Sequence, residues 1–447
     1  MQSQPAAAHL SAEGSRDNGT TDGTMSPANG RVPKTAHYEF GGPIGAFLVM
    51  TSLPVVVYYL YFACSKESCG ITYKPALSTR LEDYFDWEVN LILLGWIAFQ
   101  AALYMVPIGK IAKGLPLRNG RRLQYRMNGF MAFVVSVTSF GALLFFKYPV
   151  TILYDKFLPF MTSSIIVSVI LSILVYIKAR TAPNHALATG GNSGNIIYDF
   201  FIGHELNPRL GSFDIKVFCE LRPGLIGWVM IDLAFVVKAW ADFPNNPPWG
   251  LLALTFSQVL YVADSLWYEE CVLSTMDIIH DGFGFMLSFG DLAWVPFTYT
   301  LQARYLVDHS ETTESKFCLL TIAALGLLGY YIFRASNSQK NEFRQNPHGS
   351  KVAHLQSIPT STGKRLLVSG WWGLVRHPNY LGDLILALSW SLYCGFDSII
   401  PYFYPIYFMI LLVHRAYRDA AMCKEKYGEA WEQYCKRVPY QIFPLIF

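Results

Sequence analysis

The 447-residue sequence predicts an all-α membrane protein with about ten transmembrane helices. Charged residues make up only 15% of the chain and hydrophobic residues 52%, whereas soluble proteins contain about 25% charged residues. Apolar stretches of the roughly 20 residues needed to cross the hydrocarbon core of a bilayer also recur along the chain. The net charge is only +3 and no basic helix is interleaved with aromatics, so we expect no nucleic-acid partner.

The first 36 residues differ in composition from the rest of the chain. They are rich in Ser, Gly, Ala, Asn and Thr and contain no apolar run. Residues 1–36 therefore cannot bury enough apolar surface to fold, and we predict a disordered tail. This tail also lacks the basic start and apolar core of a signal peptide. We expect the first membrane span to act as the targeting signal, and residues 37–447 to form one transmembrane domain.

Ten apolar segments are predicted to span the bilayer, and three of them have unusual features. The fifth contains Asp232 and Lys238, the seventh contains Asp291, and the tenth is short and interrupted by Pro405. Charged groups inside spans are costly and usually face a cavity or a partner, so these residues point to the interior of the bundle. The segments are 44–62, 89–107, 129–146, 158–177, 224–242, 249–267, 283–302, 317–333, 372–395 and 399–413.

The distribution of basic residues predicts the orientation in the membrane. If the N-terminus is cytosolic, the cytosolic loops and tail contain about 22 Lys and Arg residues and the opposite loops about seven. Because cytosolic loops are enriched in Lys and Arg, we predict that both termini face the cytosol. The opposite face would then carry Cys64 and Cys69, which follow the first span as a disulfide or as two free thiols. The other six cysteines show neither zinc-ligand spacing nor a disulfide framework, so no metal site is predicted.

Two polar segments near the C-terminal spans could bind a nucleotide. In the first, Lys340 and Arg344 lie four residues apart and would share one helix face, which suits a phosphate, although they could equally belong to a basic loop with snorkelling side chains. In the second, residues 366–383, several glycines allow close backbone approach and Trp371 and Trp372 offer stacking faces. The alternative is a simple entry loop to the ninth span.

Two further segments carry polar groups in an otherwise apolar chain. In the tail after the tenth span, one helix face would carry a polar stripe that begins one turn after Arg415 and comprises Asp419, Cys423, Lys426, Tyr427 and Tyr434. The alternative is an amphipathic helix with internal ion pairs. The middle of the chain carries acidic and aromatic groups that could line a pocket and donate protons, or could cap and link helices: Tyr261, Asp264, Glu269, Glu270, Asp277, His280, Asp281, Asp291, Trp294 and Tyr299.

The common nucleotide-binding motifs are absent from the sequence. It contains no GxGxxG after a strand, no Walker loop and no HExxH motif. Any nucleotide must therefore be held by the membrane bundle itself.

Two stretches identify a family resemblance. They are Trp371–Asp383 (WWGLVRHPNYLGD) and Tyr417–Gly428 with the following Trp431–Cys435. They resemble the integral-membrane sterol reductases, which include delta(14)-sterol reductases, 7-dehydrocholesterol reductases and lamin B receptors. The resemblance extends from about Phe40 to Phe447. Residues 203–209 and 218–228 look most like the delta(14) branch, except that His204 stands where that branch has Arg.

The resemblance implies a ten-span protein of the endoplasmic reticulum that takes NADPH from the cytosol and a sterol from the bilayer. It places the cofactor-binding part at 334–447, and functional roles on Arg415 and on Tyr261, the expected proton donor. The extra N-terminal module of lamin B receptors is absent. The implied cofactor contacts are Lys340, Arg344, Leu367, Trp372, Asn379, Tyr380, Asp419, Cys423, Lys424, Glu425, Lys426, Tyr427 and Tyr434.

The implied reaction is reduction of a sterol 14(15) double bond. An isolated alkene is a poor electrophile, so we expect an acid to protonate carbon 15 before hydride from NADPH reaches carbon 14. Tyr261 is the expected acid, with Asp419 or a mid-chain carboxylate behind it. The alternatives are reduction of another sterol double bond at position 7 or 24(28), methyl transfer from S-adenosylmethionine by a protein with a similar RHPNY-like stretch, and a nuclear-envelope scaffold.

Overall fold

The computed structural model describes residues 33–117, 120–245, 247–309 and 315–447. In its first half, these residues form helices α1 Gly42–Phe62, α2 Trp87–Met105, α3 Gly129–Phe145, α4 Ile152–Asp155, α5 Phe157–Ala179, α6 Ile196–Ile202, α7 Ile215–Leu221, α8 Pro223–Asp242 and α9 Trp249–Trp267. The second half contains α10 Met276–Ile279, α11 Phe285–Phe289, α12 Val295–Thr298, α13 Leu301–Asp308, α14 Lys316–Gln345, α15 Trp371–Leu374, α16 Pro378–Leu392, α17 Phe403–Tyr427 and α18 Glu429–Arg437.

Strands are confined to three short antiparallel hairpins in the part of the chain that the structure describes. They are β1 Lys110–Pro116 with β2 Arg122–Met127, β3 Arg209–Leu210 with β4 Phe213–Asp214, and β5 Ser357–Pro359 with β6 Arg365–Leu367. In the last hairpin Ser357 pairs with Leu367 and Pro359 with Arg365. Each hairpin connects helices, so the prediction of an α-helical membrane protein is confirmed.

Among the residues that the structure describes, six helical segments are long and apolar enough to cross a membrane. They are Gly42–Phe62, Leu81–Met105, Phe157–Ala179, Ile215–Asp242, Trp249–Trp267 and Lys316–Gln345. They overlap the first, second, fourth, fifth, sixth and eighth predicted spans. The third predicted span corresponds to α3, which is apolar but has only 17 residues.

The other three predicted spans differ from the structure. The seventh predicted span corresponds to α11 and α12, which are joined by a π-helical turn at Gly290–Trp294. The ninth span reduces to α16, which begins at Pro378, a residue that fits the first turn of a helix but not its interior. The tenth corresponds to α17, which starts at Phe403 and runs to Tyr427, well beyond the predicted end.

Helices α14 and α16 approach each other closely through glycines. A Cβ atom on Gly382 would lie 2.5 Å from the backbone nitrogen of Phe333, and one on Gly329 would lie 2.7 Å from that of Leu386. Since real side chains do not make such contacts, the two glycines permit this crossing. The apolar core itself is centred on α8, which packs against α4, α9, α12 and α13.

The loop after α1 is closed by a disulfide. Cys64 and Cys69 are bonded, which decides between the two alternatives that the sequence leaves open. The guanidinium group of Arg304 donates to the carbonyl oxygen of Cys64 at 2.9 Å and lies 4.0 Å from the ring centroid of Tyr61. The disulfide loop is thereby fixed against α13.

The predicted tail lies largely outside the described residues. Of its last four residues, Thr35 donates through its hydroxyl to the carbonyl oxygen of Thr189 at 2.9 Å. Just after the tail, Glu39 forms an ion pair with Arg418 of α17 at 2.8 Å. The segment before α1 is thus attached both to the 189–192 loop and to the last long helix.

Candidate cofactor site

A cavity of about 220 Å³ lies where the C-terminal ends of α14 and α17 meet the β5–β6 hairpin, α15 and α18. Helix α14 has 30 residues, so at 1.5 Å per residue it extends well beyond its apolar part. The C-terminal turns of α14 carry Lys340 and Arg344 into the cavity wall. Helix α17 continues past its apolar start in the same way and contributes Asp419, Cys423 and Tyr427.

One side of the cavity concentrates positive charge. The ammonium group of Lys340 lies 3.6 Å from the ring centroid of Trp372, and the indole nitrogen of Trp372 donates to the carbonyl oxygen of Ser336 at 2.8 Å. Among the described lining residues five are cationic and one, Asp419, is a carboxylate. This excess suits an anionic ligand such as a phosphate. The five cations are Lys340, Arg344, Lys364, Arg365 and Arg376.

Burial and the nearby charge of Arg344 lower the pKa of the Lys340 ammonium group to about 7. Lys364 is shifted in the same direction. Its partial burial lowers the pKa of the ammonium group to about 8, and the nearby charges of Lys426 and Arg344 act in the same direction. A bound anion would stabilise the charged form of Lys364 and relieve this repulsion.

The opposite side of the cavity is aromatic. Tyr427 of α17 and Tyr434 of α18 are buried there, and the ring of Trp431 lies 5.1 Å from that of Tyr434. Gly428 makes the turn between the two helices with φ of 52°, a conformation that favours glycine. These planar faces can stack on a heteroaromatic ring.

Cys423 lies between the two sides of the cavity. Burial raises the pKa of its thiol to about 12, and the carboxylate of Asp419 adds to the effect. Because only the thiolate is a nucleophile, Cys423 acts in this site as a small apolar contact. The imidazole of His377 lies 4.0 Å from the Asp419 carboxylate and stacks on the ring of Tyr380 at 4.6 Å.

The structure brings most of the sequence-predicted cofactor residues together. Asn379 and Tyr380 are instead wholly buried at the start of α16, behind His377. Lys424, Glu425 and Lys426 are exposed on the outer face of α17 and do not line the cavity. The predicted residues that do line it are Lys340, Arg344, Leu367, Trp372, Asp419, Cys423, Tyr427 and Tyr434.

Nine of the described lining residues are not among the cofactor contacts expected from the sequence, and four of them are Lys364, Arg376, His377 and Trp431. Lys364 follows Gly363 in the β5–β6 turn, where no helical or strand periodicity marked a site. Arg376 and His377 belong to the Trp371–Asp383 stretch, so the family motif already includes both residues. Trp431 precedes Tyr434 by three residues, so it shares the same face of α18.

A second group of predicted residues lies deeper in the bundle, around Tyr261. Its ring packs edge-on against Trp390, with the centroids 5.4 Å apart. The carboxylate of Asp383 interacts electrostatically with Tyr261. Both oxygens of Asp383 are buried without a hydrogen-bond partner among the described residues. Asp383 is therefore the carboxylate associated with Tyr261.

Several of the other mid-chain acids link helices. Asp264 accepts hydrogen bonds from the Tyr330 hydroxyl and from Arg334, each at 2.8 Å. Glu269 forms a buried ion pair with Arg222 at 2.5 Å. For these residues the helix-linking interpretation is supported.

Arg415 connects α17 to the segment after α9. Its guanidinium group donates to Asp277 at 2.8 Å and interacts electrostatically with Tyr380. The neighbouring Arg418 donates to Asp281 at 3.0 Å. Arg415 thus lies inside the bundle, near Tyr380, and does not line the cavity.

Comparison with known proteins gives consistent results. Residues 34–447 match the model of the "Ergosterol biosynthesis ERG4/ERG24 family". The chain is 54% identical over 408 residues to "Delta(14)-sterol reductase LBR" of Gallus gallus, covering 91% of this chain but only 64% of that relative. It is 52% identical over 417 residues to "Delta(14)-sterol reductase TM7SF2" of Mus musculus, covering 93% and 99%.

A fungal relative extends the comparison. "Delta(14)-sterol reductase erg24" of Schizosaccharomyces pombe is 44% identical over 425 residues, which cover 94% of this chain and all of that relative. Since the family model spans nearly the whole chain and these identities extend over more than nine-tenths of it, the protein belongs to the ERG4/ERG24 family of ergosterol biosynthesis.

Proposed function

We propose that this chain is a delta(14)-sterol reductase that uses NADPH to reduce the 14(15) double bond of sterol intermediates. The observation that carries the proposal is the cation-rich, aromatic-walled cavity at the ends of α14 and α17. It is found in a chain 52% identical, over nearly its whole length, to a protein named as a delta(14)-sterol reductase.

The residues of the cavity fit a phosphorylated nicotinamide cofactor. Lys340, Arg344 and Lys364 can pair with phosphate oxygens, and Arg376 adds a further positive charge. NADPH carries one phosphate more than NADH, so the five cations favour NADPH. A volume of about 220 Å³ is too small for a whole dinucleotide. The rest of the cofactor would be held outside this volume, with Trp372, Asn379 and Tyr380 as the residues that would hold it.

The reduction needs an acid as well as a hydride. NADPH, when bound, supplies the hydride that completes the reduction at carbon 14. Tyr261 is our candidate to donate the proton: the alkene electrons form the new bond to hydrogen at carbon 15, and the phenol O–H bond breaks. The tertiary cation at carbon 14 is allylic when an 8(9) double bond is conjugated. Asp383, beside Tyr261, can orient the phenol.

The surroundings of Tyr261 suit this chemistry. Its neighbours Trp228, Trp390 and Tyr299 are aromatic and fully buried. Aromatic faces stabilise nearby positive charge, and an apolar site excludes the water that would otherwise trap a carbocation. We assign Arg415 and Asp419 the role of holding the cofactor helix α17 in register with this group.

We further propose ten spans in the membrane of the endoplasmic reticulum, with both termini cytosolic. The three spans beyond α3 and the six long segments would be α11–α12 with their π-helical turn, α16 and the first half of α17. The Cys64–Cys69 disulfide supports this orientation, because disulfides persist in oxidising compartments and this loop is assigned to the lumenal face. Residues 334–447 would form the cofactor-binding part.

Expression in a host without delta(14)-reductase activity tests the function. We expect the 8,14-diene sterol to disappear and its 14-reduced product to accumulate, as measured by mass spectrometry of extracted sterols. Persistence of the 8,14-diene would overturn the proposal. Loss of a 7- or 24(28)-alkene instead would assign the protein to another branch of the family.

A further inference from the structure

Glu220 is a partly buried acid that the proposed mechanism does not yet use. It lies near the end of α7, which packs against α8, α11 and the π-helical turn. Lys216 lies one turn earlier on the same face, and its ammonium group donates to the carbonyl oxygens of Asp281 at 2.6 Å and Leu206 at 2.9 Å. Helix α7 therefore brings the ammonium group of Lys216 and the carboxyl group of Glu220 into the bundle, one helical turn apart.

The carboxylate of Glu220 lies in a cluster of ionisable groups. One of its oxygens is buried without a hydrogen-bond partner among the described residues, and the same holds for one oxygen of Asp291. Arg415, whose guanidinium group is nine-tenths buried, also leaves its Nε atom without such a partner. The groups that face Glu220 electrostatically are Asp277 of α10, Asp291 of the π-helical turn, Arg415 of α17, Tyr299, and Lys216 and Cys219 of α7 itself.

Such a cluster is costly to keep in an apolar bundle. A buried polar atom without a hydrogen bond costs roughly 1–3 kcal/mol. In membrane proteins, chains of buried Asp and Glu residues commonly carry protons. The unpartnered oxygens of Glu220 and Asp291 point to a ligand or an exchangeable proton rather than to a structural ion pair.

The cluster is continuous with the predicted cytosolic face. The side chain of His280 is 39% exposed, and its Nδ1 lies 3.0 Å from the carboxylate of Asp281. This hydrogen bond raises the pKa of His280 above its ordinary value, which suits exchange of protons with water near neutral pH. Asp277, in the same segment, then pairs with Arg415 beside Glu220.

The cluster is also continuous with the proposed proton donor. A Cβ atom on Gly224, one turn after Glu220, would lie 1.7 Å from the carbonyl oxygen of Asp291, so the start of α8 touches the π-helical turn. Tyr299 interacts electrostatically with both Glu220 and Tyr261. The ring of Trp228 contacts both tyrosines, at centroid distances of 5.3 Å and 6.3 Å.

We propose that Glu220 is a proton-relay residue, which resupplies the proton that each reduction consumes. The inference rests on the proposed function. After Tyr261 has given its proton to the sterol, the carboxylic acid of Glu220 returns one through Tyr299, and the resulting carboxylate is reprotonated from water by way of His280, Asp281 and Asp277, while the Arg415 guanidinium stays charged. One proton from the cytosol is consumed for each hydride delivered, so charge and atoms balance.

The Glu220→Gln variant tests the relay, because it keeps the shape of the side chain but removes the exchangeable carboxyl proton. We expect kcat to fall about 10²-fold, at the lower end of the contribution of acid–base catalysis, with unchanged affinity for NADPH. The pH dependence of kcat should also flatten. Glu220→Asp keeps the carboxyl group and should recover part of the rate. Asp242→Asn, which removes a carboxylate at the exposed end of α8 far along the chain from the cluster, is the control and should remain active.

Several results would overturn the relay. Turnover of Glu220→Gln at the wild-type rate with the wild-type pH profile would contradict it. A loss of NADPH affinity in proportion to the loss of activity would indicate a structural role instead. If the Gln variant does not accumulate, Glu220→Asp decides, since an unchanged pH profile in that variant contradicts the relay. An inactive wild-type protein would instead refute the proposed function, and the two failures are thereby distinguished.

Discussion

At the scale of single residues, Lys340 is a cation in the wall of the cofactor cavity. Its ammonium group lies over the Trp372 ring, within the cavity. Replacement by Ala removes one phosphate partner without touching the region of Tyr261. Since a charge-assisted hydrogen bond is worth about 1.5–3 kcal/mol, we expect Lys340→Ala to raise the KM for NADPH about ten- to a hundredfold and to leave the KM for sterol unchanged.

The matched control for Lys340 is Lys351→Ala. The Lys351 side chain is 80% exposed, pairs weakly with Glu342, and lies outside the cavity. Steady-state kinetics with each substrate varied in turn would measure both constants. A Lys340→Ala protein with the wild-type response to NADPH would refute the phosphate contact.

Lys364 gives the site a pH dependence. Its pKa of about 8 lies below the ordinary value for lysine, so its positive charge is present below pH 8 and is lost as the pH rises through that value. We expect the Kd for NADPH to increase several-fold between pH 7 and pH 9. In Lys364→Arg, where the charge persists, this part of the increase should disappear.

Titration of NADPH binding by fluorescence, in both proteins across this pH range, measures the effect of Lys364. The difference between the two profiles isolates Lys364 from the other cations of the cavity. Parallel profiles would show that Lys364 does not bind the cofactor.

At the scale of elements, the glycine-mediated crossing of α14 and α16 positions both sides of the site. Helix α14 carries Lys340 and Arg344, and α16 carries Asn379, Tyr380 and Asp383. We expect Gly382→Ala to destabilise the protein by about 1–3 kcal/mol, because the new methyl group overlaps the α14 backbone. The thermal midpoint of the detergent-solubilised protein should fall.

Gly141→Ala is the control for this crossing. Gly141 lies in α3, and a Cβ atom there would meet no other group within 4 Å. Its thermal midpoint should match or slightly exceed that of the wild type, since Ala favours helix more than Gly. Equal midpoints for the two variants would mean that the crossing tolerates a larger separation.

Elements with a strong apolar run could be predicted from the sequence, whereas those set by tertiary contacts could not. Helices α1, α5, α8 and α9 begin and end within a few residues of the predicted spans. The π-helical turn at Gly290–Trp294 was missed because it depends on the contact between Gly224 and Asp291, which are distant in sequence.

The residues of the candidate site also divide into those that the sequence predicts and those that depend on tertiary contacts. Lys340, Arg344, Asp419 and Cys423 could be selected from helical spacing and Trp372 from its stacking face, and the family resemblance added Leu367 as a cofactor contact. Lys364 was missed because the β5–β6 hairpin that positions it is only three residues long on each side and has no recognisable periodicity. The association of Asp383 with Tyr261 required the packing of α9 against its neighbours in the bundle.

At the scale of the whole molecule, the orientation in the membrane decides whether cytosolic NADPH can reach the cavity. A cysteine introduced at Lys351, close to the cavity, should react with a membrane-impermeant maleimide in sealed microsomes. A cysteine at Lys74, in the loop after the Cys64–Cys69 disulfide, should react only after detergent is added. Both positions are exposed.

The orientation measurement is the labelling of each variant relative to the wild-type protein, which accounts for the exposed Cys318. Labelling at position 74 in sealed vesicles, with protection at position 351, would reverse the orientation. It would also separate the cofactor cavity from the cytosol.

The central claim is that this bundle adds a proton from solvent and a hydride from NADPH across the sterol 14(15) double bond. The most direct test is to supply purified protein with an 8,14-diene sterol and NADPH deuterated at the transferred position, and to locate the label in the product by NMR. We predict one cofactor-derived deuterium at carbon 14 and, in a parallel reaction in D₂O, one solvent-derived deuterium at carbon 15. Label at any other carbon, or an unreduced diene, would contradict the account.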